Sequence, residues 1–309
     1  NSLLNYSWRS TFQIPISTLL KRGEGFEKSL AAIAMLSIVA LAAILVFLLT
    51  QALPILKEVP FFTFLFGTEW YPTGPNPDFE IGALLVASLA VAATTTLISL
   101  PMGLLTAAYL AYFASPRVRS IVKPAIELLA ALPSVIVGFL GMVVVAPWLQ
   151  ESVGLDSGLN WLNASVMLSL MCIPFICSIS EDALRNVPVA LSEASLALGA
   201  TRWETLYKVQ FRYALGGIGT AIMLGISRAL GETMVVLMVA GGAAIIPESL
   251  FDPLRPMTAS IAAEMAEAAV GSTHYYALFA TGLVLFVTTF IFNALAFFLT
   301  KKFQIGGKH

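Results

Sequence analysis

Residues 213–247 read YALGGIGTAIMLGISRALGETMVVLMVAGGAAIIP, a stretch in which only Arg228 and Glu232 carry charge. A helix needs about 20 predominantly apolar residues to cross about 30 Å of hydrocarbon, and this run exceeds that length. Five further runs free of Asp, Glu, Lys and Arg flank it: 29–56, 81–115, 128–150, 157–180 and 268–300. Of the 309 residues, 58% are hydrophobic and 11% charged, well under the roughly 25% usual in soluble domains. Backbone in contact with lipid must satisfy its own hydrogen bonds, so each run predicts a helix. The short alternating segments of a membrane barrel are absent from the pattern. The expected fold is an all-α integral membrane protein with about six spanning helices.

Charge along the chain orients those helices. Arg9, Lys21, Arg22 and Lys28 precede the first run, while Arg117, Arg119 and Lys123 follow the second. Arg185, Arg202, Lys208 and Arg212 lie between the fourth and fifth, and Lys301, Lys302 and Lys308 follow the sixth. Fourteen of the 17 basic residues thus fall on one side, with Lys57 and Arg255 opposite and Arg228 inside. The positive-inside rule makes the crowded side cytoplasmic, with both termini there.

The expected layout follows. Residues 1–28 form a cytoplasmic N-terminal segment, in which Trp8, Phe12, Ile14 and Ile16 suit either an interfacial piece or an unstructured tail. Residues 29–300 form the transmembrane domain, with external segments at 57–80 and 248–272 and a cytoplasmic loop at 181–212. Residues 301–309 are a cytoplasmic tail. The first run is too long for a signal-peptide core and should remain a membrane helix. Trp70 and Tyr71 are placed as interfacial anchors. Residues 115–119 read as a short basic turn between the second and third spans. Cys172 and Cys177, within the fourth span, read as packing residues.

The 181–212 loop carries helix punctuation. Pro188 opens a short helix, Gly199 ends it in the left-handed conformation, and Thr201-Arg202-Trp203-Glu204 forms a capping box for the next. Two short helices meeting at a glycine make a compact knob suited to a partner's cleft. The bland alternative is a simple linker, for which thirty-odd patterned residues are more than is needed.

Glu193-Ala194-Ser195 followed after three residues by Gly199 resembles the EAA loop of bacterial ABC importer permeases. Where that motif usually continues into an Ile-x-Leu-Pro pattern, this chain has Val209-Gln210-Phe211-Arg212. Residues 180–185 (SEDALR), 193–205 (EASLALGATRWET), 228–241 (RALGETMVVLMVAG), 251–253 (FDP) and 271–279 (GSTHYYALF) resemble the phosphate permease subunit of the PstC type. The resemblance implies the type I ABC importer permease fold and coupling to an ATPase through Glu193, Ala194, Ser195, Gly199, Thr201, Arg202 and Trp203. It also implies a PstA-type sister permease, two PstB-type ATP-binding subunits and an external PstS-type phosphate-binding protein. ATP and Mg would sit on the ATPase partner, with no cofactor on this chain. Lipid surrounds the chain, and no nucleic-acid partner is expected.

Arg228 and Glu232 are informative without any family. If the fifth helix starts near Tyr213, Arg228 lies roughly 22 Å along it, within hydrocarbon depth. An arginine there costs about 2.5–3.5 kcal/mol on insertion scales, so it should face protein or a water-filled path. Glu232, four residues on, falls on the same helical face and is placed to pair with it until an anion competes. Arg228, Glu232 and Thr233 are therefore the expected substrate path. A buried ion pair that only fixes packing is the alternative.

Thr94, Thr95, Thr96, Ser99 and Ser134 are weaker path candidates, since membrane threonines often bond to their own backbone. Glu127 reads as interfacial, Glu264 and Glu267 as an external gate or docking stretch, and His274 as an interface side chain. A membrane enzyme would need a nucleophile with its base or a His-Glu-x-x-His set, and His274 and His309 are the only histidines. With no phosphate-binding Gly-x-x-x-x-Gly-Lys loop, ATP hydrolysis must come from another subunit. A permease for sulfate, molybdate or another solute, and a gradient-driven secondary transporter, remain the rivals to phosphate.

Overall fold

The computed structural model describes residues 16–303, with side chains described for 28–298. The expectations for 1–15, for the side chains of 16–27 and for those of the 301–309 tail lie outside the described residues. The chain divides into two units at Thr50/Gln51.

Six helical stretches among the described residues are long and apolar enough to cross a membrane: Lys28–Lys57, Gly82–Phe113, Ser134–Val153, Trp161–Arg185, Arg202–Gly231 and Thr273–Phe298. Helix α1 (Ile16–Ala52), whose last two residues belong to the second unit, is exposed nearly throughout its described part in the first. Leu30, Ile33, Met35, Leu36 and Ile38 show more than half their surface, as suits a helix whose solvent is lipid.

The second unit continues with a 3₁₀ turn (Leu53–Lys57), α2 (Phe61–Phe66) and a hairpin of β1 (Trp70–Tyr71) and β2 (Asp78–Phe79), in register Trp70↔Phe79. Residues 57–80, read from the sequence only as a segment between spans, thus form a folded cap. Trp70 is 3% exposed and packs against Phe79 and His274, so it is core and not an interfacial anchor, whereas Tyr71 is exposed.

Helix α3 (Gly82–Ala108) continues through a π-helical turn to Phe113 and packs along α7 (Trp161–Arg185). Small residues allow the approach: a Cβ added at Gly103 would stand 2.8 Å from Ile176 Cγ2. Pro101 and Pro174 sit inside these two helices. Asn160 caps α7, its side chain accepting from the Asn163 amide at 2.9 Å.

The supposed basic turn after the second span is instead the start of α4 (Pro116–Ala130), with Ser115 as N-cap and Pro116 in its first turn. Pro133 then restarts the chain as α5 (Ser134–Leu140), which runs through a π-helical turn into α6 (Ala146–Val153). The third span therefore begins at Ser134, not Leu128. Apolar residues at 128–132 had extended the sequence pattern across a helix boundary set by Pro133.

After α7 come α8 (Val189–Ala197), α9 (Arg202–Thr205) and a π-helical turn leading into α10 (Phe211–Gly231). Helix α10 packs on α3, α7 and α13 (Thr273–Phe303). Between α10 and α13 lie α11 (Met234–Val239), a returning loop and α12 (Met257–Glu264). The loop is pinned by the Gly241↔Leu254 bridge. A core of α3, α5, α7, α11 and α12 residues, including Val91, Val137, Leu168, Val235 and Ala259, together with Leu254 of the loop, closes this end.

Candidate functional site

The run 213–247 is not one helix. Helix α10 stops at Gly231, and Glu232 adopts an extended backbone (φ −71°, ψ 132°) before the chain restarts as α11. The amides that open α11 need an acceptor, and Glu232 Oε1 takes those of Thr233 (3.1 Å), Met234 (3.1 Å) and Val235 (3.5 Å). Its backbone carbonyl accepts the Thr258 hydroxyl of α12 at 2.8 Å. The Thr233 hydroxyl is turned back to the Gly231 carbonyl at 3.4 Å.

Arg228 occupies the last turn of α10, where unsatisfied carbonyls favour a cation. The same-face pair with Glu232 is not formed: no ion pair or hydrogen bond to the Arg228 side chain occurs among the described residues. The helix break is the reason, since four residues on from Arg228 no longer means one turn up the same helix. The guanidinium instead lies over the Phe175 ring of α7, its Cζ 4.4 Å from the ring centroid, and buried Nε has no acceptor. Both charges lie within electrostatic reach of the Cys172 thiol, one turn before Phe175 on α7. Glu232 Oε2 carries no hydrogen bond among the described residues, so one oxygen builds the fold and the other is free.

The other polar path candidates divide. Thr94 bonds Ser165 (2.5 Å) and the Trp161 indole (2.9 Å), and Thr96 turns back to the Ala92 carbonyl (2.7 Å). Thr95 and Ser99 are buried without a partner. Cys172 and Cys177 are buried free thiols.

At the far end of α7 the 181–212 loop forms the knob its punctuation predicts. Pro188 is the N-cap of α8, Gly199 takes φ +85°, and Thr201 and Glu204 satisfy each other's backbone in a complete capping box. Ser195 and Thr205 share a hydroxyl bond (2.9 Å), and Gln210 donates to Ser192 (2.9 Å), which braces α8 on the following helix. Glu193, Ala194, Gly199, Thr201, Arg202 and Trp203 are exposed, and Ser195 is half-buried. Leu198 is 89% exposed, with Val189, Trp203 and Tyr207 showing 60% or more. Helix α8 buries no residue of its own. Such a surface has no reason to be apolar unless something covers it.

Behind the knob, Glu181 of α7 is 1% exposed and meets Arg119 (2.6 Å) and Lys123 (2.6 Å) of α4, with Arg185 at 3.9 Å. Lys123 also holds Asp182 at 2.7 Å. This cluster joins α4 to the helix that leads into the knob. Glu127, on the same α4, is exposed.

At the opposite end Glu264 is a hub rather than a free gate residue. It accepts the Trp70 indole (3.1 Å) and pairs with Arg255 (2.5 Å) and His274 (2.9 Å). Arg255 Nε also donates to the Gly242 carbonyl at 2.7 Å. His274 is thus held inside the fold, while Glu267 lines a cavity of about 550 Å³ beside Arg255 and Tyr71.

Sequence reasoning missed Phe175, Glu181 and Thr258. An aromatic or hydroxyl residue in an apolar run gives no signal of its own. The acid at 181, flanked by Asp182 and Arg185, was visible as charge at a span end, but its partners on α4 were not.

Among the described residues, six apolar helical spans, a broken fifth helix with a cation at the break that no acid pairs, and an exposed knob define a transmembrane permease subunit. Residues 99–305 match the family described as binding-protein-dependent transport system inner membrane component, and the chain belongs to it. It is a multi-pass inner-membrane protein and a permease subunit of an ABC importer, a class that works with an ATPase partner and a substrate-binding protein.

Among its relatives is the probable ABC transporter permease protein YqgH of Bacillus subtilis, 35% identical over 276 residues and covering 89% of each chain. Another is the phosphate transport system permease protein PstC of Mesorhizobium japonicum, 34% identical over 296 residues, covering 90% of this chain and 89% of that one. The fold is similar to that of a chain of a bacterial alginate ABC transporter, with a TM-score of 0.66 at 17% identity, covering 94% of this chain and 99% of that one. A chain of the MetNI methionine ABC transporter gives 0.54 at 21% identity, covering 72% and 94%.

Proposed function

We propose that this chain is the PstC-type half of a phosphate importer, pairing with a PstA-type permease, two PstB-type ATPases that hold ATP and Mg, and an external PstS-type phosphate-binding protein. The observation that carries the reading is the Arg228 guanidinium, set at a helix break within an apolar span with no acid, carbonyl or hydroxyl attached to it among the described residues. Relatives that bear the name phosphate transport system permease protein PstC support the choice of anion.

The planar fork of arginine matches two oxygens of an oxyanion and keeps its charge at any working pH. Near neutral pH phosphate keeps at least one P–OH, and a carboxylate only accepts hydrogen bonds. The free Oε2 of Glu232 can accept that proton's hydrogen bond, and sulfate has none to offer. Thr233, bonded back to Gly231, lies beside the path as a hydroxyl that can turn toward the anion.

In this reading the basic side of the chain is cytoplasmic with both termini there, which places the α8–α9 knob against an ATPase and the hairpin cap outside. Glu193, Ala194, Ser195, Gly199, Thr201, Arg202 and Trp203 form the coupling surface. ATP-driven closure of the ATPases is passed through α8 to α7 and α10, and so to the break at Glu232.

The test is uptake of radiolabelled phosphate by the assembled complex in vesicles supplied with ATP and binding protein, challenged with excess sulfate. Uptake should resist sulfate, fall by at least about 100-fold in Arg228→Ala if the lost bidentate contact is worth about 3 kcal/mol, and weaken in Glu232→Gln. Uptake untouched by Arg228→Ala in an assembled complex would reduce Arg228 to packing.

A further inference from the structure

We propose that Phe175 is a positioning residue for the anion path: its ring holds the Arg228 guanidinium by cation–π attraction without occupying its N–H donors, which stay available to the oxyanion. This rests on the phosphate-path reading of Arg228.

Arginine carries large rotamer freedom, and one without a hydrogen-bond partner does not stay aimed unless something else holds it. Among the described residues neither Glu232, whose Oε1 is taken by the amides of α11, nor any other acid fixes it. The contact that does is the Phe175 ring, 4.4 Å from Cζ to centroid, well inside the roughly 6 Å over which a cation feels a ring's quadrupole.

The geometry has a chemical consequence. A carboxylate partner would bind the guanidinium in its plane, where an oxyanion must also bind, so the two would compete. A ring attracts the cation through its quadrupole and takes up no acceptor position a carboxylate would fill, so cation–π holding and hydrogen bonding to an oxyanion can coexist. Phe175 can therefore keep Arg228 aligned before, during and after passage of the anion without having to be displaced. A neutral holder also adds no negative charge that would repel phosphate.

Phe175 lies on α7, the helix that leads to Glu181 and the knob, whereas Arg228 lies on α10. The stack thus spans two helices, and relative movement of α7 and α10 would change how the guanidinium is aimed.

The experiment replaces Phe175 in the full complex with Trp, with Leu, and with phenylalanines bearing one, two and three ring fluorines, which drain the quadrupole at nearly constant shape. Maximal phosphate uptake with saturating loaded binding protein is read beside basal ATPase activity, in parallel with Arg228→Ala. Uptake should fall stepwise with each fluorine, by about tenfold at three, with basal ATPase unchanged. Phe175→Trp should retain uptake, Phe175→Leu should lose at least as much as the trifluoro ring, and ring changes should have no further effect in the Arg228→Ala background. Uptake flat across the fluorine series would overturn the proposal, whether Phe175→Leu is impaired (a shape role only) or not. Normal uptake in Arg228→Ala would instead reject the phosphate-path reading beneath it, so the two failures are distinguishable.

Discussion

Gly199 allows the coupling knob to be tested with a single backbone angle. Its φ is +85°, and a Cβ built there meets nothing within 4 Å. Space is therefore not the constraint, and the cost of a side chain is the conformational one, about 1–2 kcal/mol for an L-residue held in the left-handed region. That shifts the population of the turn by about 5- to 30-fold.

The turn carries the amide of Gly199 to Leu196 O (3.0 Å) and that of Ala200 to Ser195 O (3.2 Å), and it sets the angle at which Ser195 reaches Thr205. Gly199→Ala and Gly199→Gln, both unbranched at Cβ, should lower ATP-coupled uptake to similar degrees, up to that range, while basal ATP hydrolysis continues. Gly199→Asn should lie between them and the unmodified chain, because Asn tolerates this conformation best after glycine. Vesicle uptake per ATP hydrolysed is the assay, with hydrogen exchange of 196–205 reporting the turn. If Gln is far worse than Ala, contact with a partner and not φ governs the site. If all three match the unmodified chain, the turn is not part of coupling.

Removing Glu181 by substitution with Ala should loosen α4, since Arg119 and Lys123 then lose a carboxylate that is 1% exposed. These two cations keep about a quarter of their surface in solvent, so the cost is about 2 kcal/mol and not the 3–5 of a fully buried pair. A lowered melting temperature in detergent and faster exchange in 116–130 are expected, and unchanged exchange there would reject the cluster as a clamp. The same cluster predicts alkaline sensitivity. Burial works against the Lys123 charge, but hydrogen bonds to Asp182 and Glu181 outweigh it and hold its pKa above the ordinary 10.5. A raised pKa contributes stability that is whole below the ordinary value and is lost as pH climbs through the raised one. Melting followed from about pH 9 to about pH 12 should show a loss that Lys123→Met lacks.

Much of this protein is written locally. Uncharged runs longer than a bilayer is thick dictated helices, because a chain in lipid has no other way to satisfy its backbone. The knob was equally legible: Pro188, Gly199 and the Thr201–Glu204 box act on their own neighbours within a turn, so residue order alone announced them. Arg228 was also visible, since a charge among apolar residues needs a reason wherever it folds.

What the sequence could not decide was geometry between segments. The 213–247 run continues past Gly231-Glu232-Thr233 with enough apolar residues to read as one span, and only packing of α11 against α5, α7 and α12 shows that the helix stops there and that Glu232 turns to cap the next one. The same holds for α4, whose docking depends on a buried acid more than fifty residues away, and for Trp70, drawn inside by Glu264 at a separation of 194 residues. Caps and spans are set by interactions within a few residues, which spacing records. The aim of Arg228 over Phe175 is set by two helices meeting side by side, which only the tertiary structure decides.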